Sequence, residues 1–183
     1  MTSPLSWRIA SSVSNSASIH VPSGGALLDG SESDGTNILT GGALDFSSGW
    51  SALNMTLTAN AVQDAAGTTL AATLREDTST SRHGCYINTT VGSGTKTYSI
   101  YAKQVTRRYL QFLLNGTGEI YAYFDLQAGA VTDSGIAVAG GSTAIGTPTI
   151  QQGANGFWKC TVPGADSSTT VPFLLWMCSD VGT

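Results

Sequence analysis

Charge is scarce in this sequence. Asp, Glu, Lys and Arg together make up 11% of its 183 residues, under half the roughly 25% usual for a soluble domain. Only eight residues are basic, and the net charge is −4. That balance argues against a nucleic-acid partner, which needs a Lys/Arg footprint. Long apolar runs are also missing. None approaches the roughly 18 residues of a membrane span, and the start MTSPLSWRIASSVSNSASIH has no apolar h-region of a signal peptide. Cysteine is limited to Cys85, Cys160 and Cys178. With no CxxC and no His-rich tract beside them, a metal framework is not expected, and folding in a reducing cytosol is.

Gly, Ser and Thr fill the gap that charge leaves, as in chains of many short strands joined by small-residue turns. The length fits one domain, since domains run to roughly 100–200 residues. Residues 1–36 are Ser-rich, with only short apolar flickers, and predict an extended N-terminal arm that orders against a partner. From residue 37 to 183 the pattern becomes strand, turn, strand. Strands are predicted at 52–59, 70–75, 85–90, 97–103, 108–114, 119–126, 130–138, 144–151, 157–162 and 171–178. The turns between them include DAAGT, VGSGT, NGTGE, LQAGA and PGADSS, at a spacing near the roughly 8–12 residues of a sandwich or barrel. No long 3.6-residue period is present. The fold class predicted is all-β, an antiparallel β-sandwich of jelly-roll type.

Alternation sorts the strand faces, because side chains point to opposite sides with period two. In EIYAYFDL the core set is Ile120, Ala122, Phe124 and Leu126. In TYSIYAK it is Tyr98, Ile100 and Ala102; in RYLQFLL it is Leu110, Phe112 and Leu114. If these three strands are neighbours, their outer face gathers Tyr101, Lys103, Tyr109, Gln111, Tyr121, Tyr123 and Asp125. Tyrosines edged by amide and charge suit stacking on sugars, and suit protein interfaces equally.

Groups for catalysis are sparse. Glycoside hydrolysis needs two carboxylates about 5–10 Å apart, whereas Glu119 and Asp125 are about 20 Å apart along one strand. His83 sits two residues from Cys85, which would suit a Cys–His pair, but a surface-loop histidine beside a buried cysteine is the plainer expectation. No glycine-rich loop leads into a helix as a phosphate cradle does. Asp29, Glu32 and Asp34 cluster as hard oxygen ligands for calcium would, but without EF-hand spacing, so a solvated turn is expected. The chain reads as no enzyme, with no cofactor.

The order of several motifs resembles a concanavalin-like or carbohydrate-binding-module-like jelly roll that recurs in bacteriophage virion proteins and some bacterial surface proteins. The residues that carry it are NIL at 37–39, DFSSGW at 45–50, LTANAVQDAAGTTLAATLRED at 57–77, YSIYAK at 98–103, YFDLQAGAV at 123–131 and NGFWKC at 155–160. The Trp-Gly-x-Gln strand that ends many members does not follow WMCSDVGT, so a last strand is either lost or supplied by another chain. The resemblance implies a virion structural protein, as capsid decoration, head fibre or tail component, made in the host cytoplasm. Residues 1–36 would attach it to a major capsid or tail protein. A homo-oligomer and a surface glycan are further partners to test, and a carbohydrate-binding module or adhesin is the alternative function.

NGFWKCTV at 155–162 divides by alternation into Trp158, Cys160 and Val162 facing inward, with Phe157, Lys159 and Thr161 facing outward. Cys160 then reads as a small buried hydrophobe. A hairpin through PGADSSTT would place Cys160 opposite Phe173, about 16 Å from Cys178 and beyond disulfide reach.

Overall fold

The computed structural model describes residues 6–15, 36–37, 46–90, 94–138, 143–144, 146–166 and 170–178. These form strands β1 (Ser6–Asn15), β2 (Thr36–Asn37), β3 (Ser51–Leu53), β4 (Met55–Val62), β5 (Ala71–Glu76), β6 (His83–Thr90) and β7 (Gly94–Gln104). They continue with β8 (Tyr109–Asn115), β9 (Glu119–Asp125), β10 (Ala130–Val138), β11 (Thr143–Ala144), β12 (Thr149–Gln152), β13 (Trp158–Asp166) and β14 (Thr170–Cys178). One 3-10 turn, Ala154–Gly156, precedes β13.

The strands build two antiparallel sheets. Sheet A runs β11-β13-β7-β1-β5-β4, with β12 also on β13 and β2 on β1. Sheet B runs β10-β9-β8-β14-β6-β3. Consecutive strands repeatedly change sheet: β5 is in A, β6 in B, β7 in A and β8 in B. The predicted strand at 52–59 splits at Asn54, whose φ of 53° lies in the left-handed region that Asn tolerates better than most residues. Through that corner β3 leaves sheet B and β4 enters sheet A.

Residues 6–15, expected in an arm ahead of the domain, form β1 and lie between β7 and β5 inside sheet A. Nine consecutive pairs, from Trp7↔Gln104 to Asn15↔Lys96, join β1 to β7. Residues 1–5 and 16–35, and with them Asp29, Glu32 and Asp34, lie outside the described residues.

Both sheets bury their apolar rows in one core. Sheet A supplies Leu74, Tyr98, Ile100, Ala102, Cys160 and Val162; sheet B supplies Leu110, Phe112, Leu114, Ile120, Ala122, Phe124, Phe173 and Leu175. These include every residue that alternation assigned to the core in β7 and β8, and Leu126 just past β9 is buried as well. Phe173 is the centre of an aromatic group, with its ring 4.5 Å from Phe112, 5.6 Å from Trp50 and 6.2 Å from Tyr98. Each such side chain contributes about 1.5–3 kcal/mol on burial. The motif DFSSGW closes this end. Phe46 stacks on Trp50 at 4.3 Å and is buried despite a φ of 63°.

β13 and β14 are in different sheets, so PGADSSTT is a crossing and not a hairpin. Cys160 pairs with Ile100 and Ile150 in sheet A, whereas Cys178 pairs with Tyr109 in sheet B. All three cysteines are free and buried. Cys160 and Cys178 are thus unbridged, but because they lie in different sheets and not because of an offset within one hairpin.

Candidate functional site

The seven residues expected on one outer face do not share one. Tyr101 and Lys103 are on β7 in sheet A, while Tyr109, Gln111, Tyr121, Tyr123 and Asp125 are on β8 and β9 in sheet B. The expectation took strands adjacent in sequence as adjacent in space. β8 and β9 are neighbours, but β7 lies between β13 and β1.

On sheet A, Tyr101 and Lys103 hold the turn before β13. The Lys103 ammonium donates to the Asn155 carbonyl at 2.7 Å and lies 5.9 Å from the centre of the Phe157 ring. Asn155 has a φ of 56°, and its Nδ2 donates to the carbonyls of Asp64 and Ala65. Those carbonyls belong to the D-x-x-G turn, where the Asp64 carboxylate accepts from the backbone N–H and hydroxyl of Thr68. Tyr101 packs on Gly153. Phe157 is 1% exposed and Lys159 is buried, so the outward pair of NGFWKC is covered by protein and does not border an open face.

On sheet B, Asp125 is also spent on structure. It is 3% exposed, and its two oxygens accept from the Arg108 guanidinium at 2.6–3.0 Å. Its Oδ1 accepts further from the backbone N–H groups of Gln127 and Ala128. The Arg108 bonds hold its carboxyl below the ordinary carboxylate range, against the opposing effect of burial. Arg108 in turn lies 5.1 Å from the centre of the Tyr109 ring. Asp125 therefore caps the β9–β10 turn, and Tyr109 stacks on its counter-ion.

What remains of the predicted face is Gln111, Tyr121 and Tyr123, and the register extends it across the whole of sheet B. Asp133, Tyr123, Gln111, Trp176, Gly84 and Leu53 are cross-strand partners in turn, one from each of the six strands. Gly135, Tyr121, Leu113, Leu174, Tyr86 and Ser51 form the next row. With strands about 4.8 Å apart, each row spans about 24 Å. Trp176 lies across Gly84, where a Cβ would come 2.4 Å from its Cε3, and Tyr121 lies across Gly135. The rings of Tyr121 and Tyr123 meet edge to face at 5.9 Å. Burial raises the Tyr123 phenol above its ordinary pKa, with the charge of nearby Arg82 pulling the other way. Leu113 falls outside by the same alternation as Gln111, whereas Trp176, Tyr86, Leu174 and Leu53 are additions that the structure brings to this face. The signal was available, because a core set of Val171, Phe173, Leu175 and Met177 leaves Leu174 and Trp176 on the other side of β14.

His83 is buried and not on a surface loop. Its Nε2 lies 3.2 Å from Asp77 Oδ1 and 3.3 Å from Ser79 Oγ, and its Nδ1 lies 3.8 Å from Glu76 Oε1. Arg107 holds both oxygens of Glu76 at 2.9 Å. Asp77 accepts from the Ser79 backbone N–H, the main cause of its lowered pKa. Asn54 adds a bond from Nδ2 to the Arg82 carbonyl and accepts from Asp77 N–H. This polar group fastens the β5–β6 connection to the β3–β4 corner and to the segment ahead of β8. Burial pushes the Cys85 and Cys160 thiols far up, and Cys178 up to about 11. None has the depressed pKa of a nucleophilic thiolate.

No protein-family model matches the chain, and no curated protein matches it.

Proposed function

We propose that the protein is a non-enzymatic jelly-roll domain displayed on a bacteriophage virion, and that it recognises a surface glycan through the outer face of sheet B. The repeated change of sheet between consecutive strands supports the jelly-roll reading. The observation that carries the binding role is the row from Asp133 through Tyr123, Gln111 and Trp176 to Leu53. It aligns aromatic rings with an amide and an exposed carboxylate along one sheet face, with Tyr123 buried and Gln111 and Trp176 half-buried. Rings suit the apolar faces of sugars, and amide and carboxylate suit their hydroxyls.

The place of β1 alters how the virion role is tested. Deleting residues 1–36 removes an inner strand of sheet A, so loss of particle association would report unfolding as readily as a lost anchor. A better test keeps every strand, with the melting temperature measured alongside because Tyr123 is buried. Tyr121→Ala combined with Tyr123→Ala should abolish glycan binding by the purified protein while the variant still incorporates into particles. Glycan binding that survives both changes would remove this face as the site. Mass spectrometry of purified particles that finds no copies of the chain would remove the virion role.

A further inference from the structure

Resting on that reading of sheet B, we infer that the glycan is a linear chain that crosses the strands and fills two aromatic subsites, one towards each edge of the sheet. Two glycines fix where the rings lie. A Cβ on Gly135 would come 3.2–3.4 Å from Oη, Cε1 and Cζ of Tyr121, so that ring leans from β9 onto β10. A Cβ on Gly84 would come 2.4 Å from Cε3 of Trp176 and 3.0 Å from its Cδ2, so the indole leans from β14 onto β6. The two rings therefore lean away from each other. Their own strands are two steps apart in the order β10-β9-β8-β14-β6, and the strands they lean on are four steps apart. At about 4.8 Å per step the rings are separated by about 10–19 Å, beyond the reach of a single sugar ring. Each has an aromatic neighbour. Tyr123 meets Tyr121 edge to face at 5.9 Å, and Tyr86 follows Gly84 two positions on along the same face of β6.

Between the two patches there is no ring. Gln111 is the cross-strand partner of both Tyr123 and Trp176. In the next row Leu113 and Leu174 pair with each other between Tyr121 and Tyr86. The middle of the face thus offers one amide among shorter apolar side chains. A chain stacked at both ends passes over that amide, which both donates to and accepts from hydroxyls. Of the twelve positions in the two rows, one is charged, Asp133. The contacts on offer are stacking and hydrogen bonding, which suit sugars. A nucleic acid would need several cations along these rows. Among the described residues no strand of this sheet lies beyond β10 or β3, so a longer chain continues past either edge.

The test screens the intact protein against a panel of bacterial surface polysaccharides. One that binds is cut by partial acid hydrolysis, and its fragments are separated by length and titrated calorimetrically. Wild type should bind fragments long enough to span both patches about tenfold more tightly than monosaccharides and disaccharides, with no further gain beyond that length. Tyr86→Ala and Tyr121→Ala each remove one patch. Each variant, checked for folding by its melting temperature, should bind long and short fragments alike. Tyr86→Phe keeps the ring and should keep the gain. Affinity that does not depend on length, while Tyr121→Ala still weakens binding, would overturn the two-patch assignment and leave the binding face standing. So would a gain with length that survives both alanine variants. Self-association seen by light scattering and broken by Tyr86→Ala would give the face to a second copy of the chain and overturn the assignment. Binding to no polysaccharide of the panel would count against the glycan face itself, and against this inference with it.

Discussion

Gly129 lies under the indole of Trp158, so close that a Cβ on the glycine would sit 2.3 Å from Cη2 of the ring. Gly129 ends the β9–β10 turn of sheet B, and Trp158 opens β13 in sheet A. One contact thus joins the FDLQAG motif to the NGFWKC motif and sets how the two sheets meet at that end. Gly129 also has a φ of 67°, where a side chain is strained whatever the space. Gly129→Ala should destabilise the fold by about 2–3 kcal/mol, read as a lower urea midpoint at an unchanged slope. A variant as stable as wild type would show that the ring does not occupy this position.

Asp125 ties the same turn to Arg108. Its carboxyl pKa is lowered in the folded state, so its contribution is fully present above the unfolded value of about 3.9 and is lost as pH falls through the folded value. Asp125→Asn should cost about 2 kcal/mol at neutral pH. It should also flatten the loss of stability that wild type shows below about pH 4. Parallel urea titrations across that range check both effects, and an unchanged acid limb in the variant would refute the assignment.

Trp176 has an indole N–H with no hydrogen-bond partner among the described residues, while its ring covers Gly84. An unmade buried bond costs about 1–3 kcal/mol. Trp176→Phe removes that donor and keeps a ring over the glycine, so thermal stability should stay within about 1 kcal/mol of wild type. Trp176→Ala exposes the backbone of Gly84 and Leu175 and should lower it clearly. A Phe variant as damaged as the Ala variant would mean that the N–H is satisfied after all.

The thiols provide a check on burial. Cys85 and Cys160 should resist alkylation in the folded protein at pH 8, and all three cysteines should react once it is unfolded in denaturant. Rapid native labelling of Cys160 would contradict its placement in the core between Ile100 and Ile150.

Much of the local structure was legible, because alternation is a local property. The inward rows of β7, β8 and β9 follow directly from it. Which strand lies beside which is not local. Tyr101 and Tyr109 sit eight positions apart in the chain, yet the segment after β7 carries the chain across to the other sheet. That crossing divided the expected face. Asp125 was misread for another reason. Alternation gives the side a residue points to, but not that an aspartate ahead of LQAG will turn back to cap the next backbone N–H groups. Ser6–Asn15 has too few apolar residues to announce an inner strand. Its place follows from backbone pairing with β7 and β5, which composition does not reveal.

Gln111 stands between Tyr123 and Trp176 on the outer face of sheet B, and a change there probes the proposed glycan-binding surface. Gln111→Ala removes an amide between Tyr123 and Trp176 without touching the core. Isothermal titration of wild type and Gln111→Ala should be carried out with a bacterial surface polysaccharide. Wild type should bind measurably and the variant should lose about tenfold or more in affinity, at equal melting temperature. Equal affinity of the two proteins would contradict it.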